Sequence, residues 1–305
     1  MPVKVGVVLV NAAGCTAALR DIPGAVGHAE RVGLDSLWAS DHLLIPGLPV
    51  LDAPSVMAAA AIASRQLQLG LSVMVPSLRS IGWAAKQVGT LSLLVAPRRL
   101  QLGVGVSGGP IEEFRAAEVD MTARGQRTNQ FLASLPDLLA GKTVRTAGPR
   151  GKEGIALQPA APMPTLWVGG SSPAALRRVA RFGDGWLPGL ITPREFTKAR
   201  ERLSDLTAAH ERDRPRLAVM AHVSFTTVRG PTAQQRAVGL LRSAYQMPTA
   251  RAEQLAIAGT PTQAAQRLNQ YVEAGAEHLV LVCDGPEWPD TCDSIAEVAQ
   301  CLSTG

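Results

Sequence analysis

The chain has 305 residues, of which 46% are hydrophobic and 18% charged, with a formal net charge of +5. That length buries a sizeable core, and the balance of apolar to charged residues excludes a disordered chain. Its 30 basic residues are scattered as single positions on helix faces, with no run interleaved with aromatics, which argues against a nucleic-acid partner and leaves room for an anionic small molecule.

Strand alternates with helix from the first residues onward. "MPVKVGVVLVNAAG" reads as a buried strand over 3–10 rather than a signal sequence: it has one lysine and no small-residue cleavage pattern. A helix follows over 16–33, then a short strand in "LDSLWAS" (34–40) and a helix over 53–64. "LQLGLSVMVP" (67–76) is the third strand, with a helix over 80–95, and "LQLGVGV" (100–106) the fourth, with a helix over 123–140. "TLWVG" (165–169) and "DGWLP" (184–188) flank a proline-started amphipathic helix. An arginine-rich helix over 193–213 precedes the strand 216–228. A helix over 261–274, the strand "HLVLVC" (278–283) and a helix near 291–302 close the series.

Continuous apolar strands imply burial on both faces, and strand–helix alternation implies parallel pairing. Eight such units predict an α/β fold, a (β/α)8 TIM barrel with insertions; a doubly wound open sheet is the alternative. The irregular segments 43–52, 107–122, 141–163 and 229–260 read as excursions from one domain spanning 1–305. No apolar run reaches membrane-spanning length. Cys15, Cys283, Cys292 and Cys301 lack CxxC spacing, which points to a reducing cytoplasm and away from a structural zinc site.

In a barrel, chemistry gathers at the carboxyl ends of the strands. The candidates there are Asn11, Ser40–Asp41–His42, Ser72 to Ser77, Gly105 to Gly109, Gly169 to Ser172, Trp186 and Asp284. Gly169, Gly170, Ser171 and Ser172 precede Pro173 and a helix. They form either a backbone cradle for a phosphate or simply a tight, capped turn. Asp41 and His42 are adjacent ionisable groups, and a carboxylate can set an imidazole's tautomer. "LGVGVSGG" (102–109) lacks the immediate helix of a dinucleotide fingerprint. His278 reads as a packing residue on the stability face. His222 could point into the barrel, and Glu112 and Glu113 read as part of a surface excursion. HExxH, GxSxG and GxxxxGK[ST] are all absent.

Five segments in this order resemble one family across nearly the whole chain: "AERVGLDSLWASDHL" (29–43), "LQLGLSVMVPSLRS" (67–80), "AAKQVGTLSLLVAPRRLQLGVGV" (84–106), "TLWVGGSSPAALRRVARFGDGWLP" (165–188) and "GTPTQAAQRLNQYVEAGAEHLVLV" (259–282). The chain resembles the bacterial luciferase-like superfamily of flavin- and deazaflavin-dependent oxidoreductases. The resemblance implies a tricyclic ring at the barrel mouth, backed by a non-proline cis peptide at Ser72–Val73. It implies a glycine loop at Gly105, Val106, Ser107 and Gly108, a phosphate turn at Gly169, Gly170, Ser171 and Ser172 with Trp186 downstream, and a catalytic Asp41–His42 pair. Ser-Asp-His after the second strand, in place of the Glu-His-His of luciferases, looks more like the branch that uses coenzyme F420. Hydride transfer between F420 and a small apolar substrate is the expected activity. The alternatives are an FMN-dependent monooxygenase using oxygen and a non-catalytic flavin-binding barrel. Gly108 stands where the sugar-phosphate dehydrogenases of the F420 branch carry a glutamate, which argues against a glucose-6-phosphate activity and leaves His42 without an obvious acid. The resemblance also implies a homodimer, while the scattered basic residues and the short apolar runs argue against nucleic acid and membrane as partners.

Overall fold

The apolar strands close on themselves in the computed structural model, which describes residues 2–9, 16–46, 50–95, 99–107, 109–148, 151–226, 231–284 and 287–303. In chain order the elements run β1 (Lys4–Val8), α1 (Thr16–Arg20), α2 (Ile22–Arg31), β2 (Ser36–Ala39), α3 (Ala53–Ala63), β3 (Gln68–Met74), α4 (Ile81–Leu94), β4 (Leu100–Val104), α5 (Ile111–Ala116) and α6 (Arg124–Leu139). They continue with β5 (Val144–Gly148), β6 (Gly151–Ile155), β7 (Thr165–Gly169), α7 (Pro173–Phe182), β8 (Gly185–Leu187), α8 (Pro193–Ala208) and β9 (Arg216–Phe225). The last are α9 (Ala233–Tyr245), α10 (Thr249–Leu255), β10 (Ile257–Gly259), α11 (Pro261–Glu273), β11 (His278–Cys283) and α12 (Trp288–Ser303).

Parallel pairing runs β11-β1-β2-β3-β4-β7-β8, and β9 pairs with both β8 and β11 to close an eight-stranded barrel; β10 adds to the upper part of β9. The expected (β/α)8 barrel is the observed fold. Alternate residues of each strand face two different cores. Leu37, Leu69, Leu71, Leu102, Val168, Val219 and Leu281 pack outward against the helices. Val8, Trp38, Trp167, Leu187, Ala218 and Val280 fill the interior. Asp52, Ser80, Ser172 and Thr260 each accept a backbone N–H in the first turn of the helix that follows, so α3, α4, α7 and α11 start on side-chain caps.

The interior is densely filled at its base. Trp38 and Trp167 lie across it, and a Cβ on Gly70 or Gly185 would sit 2.2 Å from one of these rings. Glycine is therefore required there for close approach rather than for a turn. His278, expected to pack, sits between both indoles and bonds Ser36 Oγ through Nε2 at 2.7 Å.

Three excursions hold structure that the sequence reading left irregular. Residues 107–122 contain α5, 141–163 contain the antiparallel hairpin β5–β6, and 229–260 contain α9, α10 and β10. α5, α10 and the strands β5, β6 and β10 are too short for their periods to show, whereas α9 has thirteen residues and starts on a capping box at Thr232 and Gln235. The predicted helix over 193–213 stops at Ala208, because Pro215 and the polar run before it cannot continue the turn.

Candidate functional site

The carboxyl ends of the strands place most of the predicted residues around one mouth. After β2 the chain turns through Ser40, Asp41 and His42. Asp41 is buried, and its carboxylate takes two charge-assisted bonds from Arg79, at 2.8 and 2.9 Å, and a third from Val75 N at 2.9 Å. Both oxygens are thereby committed to the loop after β3. The Asp41–His42 pairing expected from adjacency is not formed: Asp41 fixes the backbone, and His42 finds another acid.

That acid is Glu113. Its Oε1 lies 3.3 Å from His42 Nδ1 and accepts from Leu43 N at 2.8 Å, while Ser107 Oγ donates to Oε2 at 3.4 Å. The Glu113 side chain is 0% exposed, against 28% for His42. The reading of Glu113 as a surface residue is overturned. Its helix α5 folds back over the mouth, with Phe114 buried beside Val75 and Leu78, and this swings the preceding carboxylate inward. Of "IEEF", only the position directly before the buried Phe114 points at the histidine. With the Nδ1 proton donated to Glu113, Nε2 is the histidine's remaining acceptor.

β3 contributes the floor. The Ser72–Val73 peptide bond is cis, as the resemblance implied, and the β3–β4 register shifts between Leu71 and Met74. Ser40 Oγ donates to Ser72 O at 3.2 Å. The half-buried Val73 side chain lies in a gap left by missing side chains: a Cβ on Gly103, Gly105 or Gly169 would come within 3.0, 2.4 or 3.1 Å of it. Gly105 and Val106 border this floor, and Ser107 follows with φ of 60° and accepts from Gly109 N at 2.7 Å. Gly108 and Asn11 lie outside the described residues.

The phosphate turn predicted at Gly169 to Ser172 sits at the end of β7. Gly170 adopts φ of 88°, and Ser172 Oγ caps α7 by accepting from Ala175 N at 3.2 Å. Among the described residues, the N–H groups of Gly170, Ser171 and Ser172 donate to no other backbone group, and all three residues are exposed. Together with the helix start behind them they form a cluster of donors with partial positive charge.

Trp186 does not line this mouth. Its ring is fully buried in the outer core, stacked on Phe196 with centroids 4.8 Å apart, and Nε1 donates to Gly170 O at 2.8 Å. Strand alternation sends Leu187 inward and Trp186 outward, so the indole holds the turn from behind and cannot touch a ring in the barrel.

Across the mouth, His222 of β9 shares the inward face with Ala218 and Met220. Its Nε2 lies 3.0 Å from the Tyr245 hydroxyl, which α9 delivers. Burial pushes the imidazole down to about 4 and the phenol up to about 12, so the pair is uncharged at neutral pH. The groups present fit a flavin-type cofactor: an apolar floor at Val73 seated among glycines, a buried Ser72 Oγ next to it in the chain, and backbone donors at the end of β7, the last two without partners among the described residues.

Comparison with known proteins agrees with this geometry. Residues 3–249 match the model of the family described as luciferase-like monooxygenase. The F420-dependent glucose-6-phosphate dehydrogenase of Beutenbergia cavernae is 30% identical, over 87% of each chain. The enzyme of the same description from Amycolatopsis mediterranei is 25% identical, over 86% of this chain and 88% of its own. An F420-dependent secondary alcohol dehydrogenase solved with an F420–acetone adduct superposes with a TM-score of 0.83, covering 99% of both chains at 17% identity. The oxygenating constituent of 3,6-diketocamphane monooxygenase from Pseudomonas putida, solved with FMN, gives 0.74 at 16% identity, over 100% of this chain and 98% of its own.

Proposed function

We propose a function from one premise: the chain belongs to the luciferase-like monooxygenase family, and is an oxidoreductase of that class. Within it, the reading best supported is an F420-dependent oxidoreductase acting on a small, largely apolar substrate. The observation that carries it is the buried Glu113 bonded to a half-buried His42 beside the Val73 floor. Bound there, F420 would supply a two-electron hydride acceptor or donor. Gly103, Gly105 and Gly169 make room for the Val73 side chain on which its ring would rest, and the N–H groups of Gly170, Ser171 and Ser172 would hold its phosphate. Glu113 fixes His42 with Nε2 directed at the mouth, where it takes the hydroxyl proton as a substrate alcohol is oxidised, or returns one in the reverse direction. The apolar interior around Val8, Leu187, Met220 and Val282 keeps water from the reacting carbon.

Two further parts of the reading rest on the surface. α3 ("APSVMAAAAIA") has no charged side chain and packs beside α4; Ile62 is 81% exposed and Trp83 of α4 63%. A helix without charge on a protein surface is suited to burial against a second copy of the chain, which supports a homodimer. No helix among the described residues is long and apolar enough to cross a membrane, and four cysteines without CxxC spacing support a cytoplasmic setting.

The experiment is a fluorescence titration with F420 and with FMN, followed by turnover assays with and without oxygen. Saturable F420 binding and oxygen-independent reduction by an alcohol are expected. FMN binding without F420 affinity, with oxygen consumed, would move the chain to the monooxygenase reading that the FMN-bound neighbour supports.

A further inference from the structure

The sector of the mouth formed by β9 and β11 carries polar atoms that the proposed chemistry does not use. Ser224 follows His222 on the inward face of β9. It is 1% exposed, and its Oγ, like Oδ1 of Asp284, has no hydrogen-bond partner among the described residues. Asp284 follows β11. The β9–β11 register pairs Val223 with Cys283, which brings Ser224 and Asp284 to the same level on neighbouring strands. Asp284 Oδ2 lies 3.4 Å from Arg236 Nε, while its Oδ1 is buried without a partner. Arg236 also donates to Pro231 O and Phe225 O, which holds α9 above this sector. The uncharged His222–Tyr245 pair lies one step below.

A buried hydroxyl and a buried carboxylate oxygen left unpaired side by side are costly unless a ligand completes them. We propose that Ser224 and Asp284 form the polar anchor of the substrate subsite and take a hydroxyl group of the substrate other than the one that reacts at His42. The reading rests on the active site proposed above. The chemistry selects the group. Asp284 Oδ1 needs a donor, which excludes a carboxylate or phosphate ester. Ser224 Oγ offers both a donor and an acceptor, so one hydroxyl that donates to Asp284 and accepts from Ser224 satisfies both. The half-buried Met220 and Val282, on the inward faces of the same two strands, would meet the rest of the molecule. The anchor therefore takes a neutral hydroxyl rather than an anionic group at this position.

The test uses three probes with one ring body: cyclohexanol, cyclohexylamine and cyclohexanecarboxylate. Binding to the native protein, Ser224→Ala and Asp284→Asn is measured by ligand-observed NMR, with and without F420, while F420 affinity is read separately from its fluorescence. Cyclohexanol is expected to bind best, roughly three- to tenfold more weakly in each variant, with F420 affinity unchanged. Ser224→Ala removes no bond within the protein, so its melting temperature should hold and loss of binding cannot be charged to misfolding. Equal cyclohexanol binding in native protein and both variants overturns the anchor, as does tighter binding of the amine or the carboxylate. A failure of F420 to bind, with cyclohexanol still lost on Ser224→Ala, would sink the cofactor reading and leave the anchor standing.

Discussion

The two ends of the barrel differ in whether all of their buried polar groups find partners. At the base, Trp38 Nε1 donates to Ser36 Oγ at 2.8 Å, Ser36 Oγ meets His278 Nε2 at 2.7 Å, and Trp167 Nε1 donates to Gln101 Oε1 at 2.8 Å. These groups satisfy one another, and the two indoles fill the space between them. At the mouth, Asp41 and Glu113 are bonded, but Ser72 Oγ, Ser224 Oγ and Asp284 Oδ1 are buried with no partner among the described residues. A closed polar network specifies a fold; an open one is a binding site awaiting the other half of its bonds. The placement agrees with the division of labour in such barrels, where stability resides at the amino ends of the strands and function at the carboxyl ends.

The sharpest way to break the contrast is to remove the acid–base pair. His42→Ala should lower turnover roughly 10²- to 10⁴-fold while the melting temperature stays near that of the native protein. Glu113→Gln keeps an acceptor for Leu43 N but removes the charge facing Nδ1. It should lower kcat about tenfold, with KM little changed, and displace the acidic limb of the pH–rate profile. Unchanged turnover and profile in Glu113→Gln would reduce that residue to packing.

The base should respond in stability instead. Gly70→Val forces a branched side chain into the Trp38 ring, where even a Cβ would lie 2.2 Å from Cε3, so a loss of about 1–3 kcal/mol or more in urea unfolding is expected. F420 affinity per folded molecule should be unaltered. Reduced affinity at full folding would show that the two ends are mechanically coupled.

Acid separates the ends more gently. Burial holds His278 down at about 3 and His222 at about 4, whereas an unfolded imidazole titrates near 6.5. Below that pH the unfolded chain binds protons that the folded chain refuses, so stability is lost as pH falls from 6.5 toward these values, by about 1.4 kcal/mol per unit for each group. Chemical denaturation at pH 7.5, 6 and 5 should show the decline. His278→Gln should remove about half of its slope while leaving the mouth intact.

The architecture was legible because each barrel strand is apolar on both faces and is followed by a helix long enough to show its period. The cis peptide at Ser72–Val73 was implied by the family resemblance rather than by any local pattern, and Gly169 to Ser172 was legible as a turn because four small residues separate strand from helix. Glu113, Asp41 and Trp186 were misread for one shared reason: a side chain's direction is not written in its neighbours. Asp41 is adjacent to His42 yet turns to Arg79, 38 residues away, while Glu113 reaches it from 71 residues away. Trp186 follows a strand glycine like a mouth residue, but alternation turns it to Phe196. Each of these depends on the packing of an element whose path sequence spacing does not set. α5 is the clearest case, since it folds over the mouth on the strength of one buried phenylalanine.

The finest test makes the same substitution at both ends. Ser36→Ala leaves His278 Nε2 and Trp38 Nε1 buried with no partner, and should cost about 1–3 kcal/mol of stability. Ser224→Ala removes a hydroxyl that already has no partner, so its effect should fall within about 0.5 kcal/mol of zero. Neither serine is exposed, and each loses one oxygen; volume and transfer terms are therefore nearly equal, and the difference isolates hydrogen bonding. Equal losses at the two positions, measured by urea unfolding of ligand-free protein, would mean that Ser224 is satisfied within the fold, and the open half of the contrast would close. A neutral Ser224→Ala beside a damaging Ser36→Ala would show that the mouth withholds its bonds from the folded state and keeps them for a ligand.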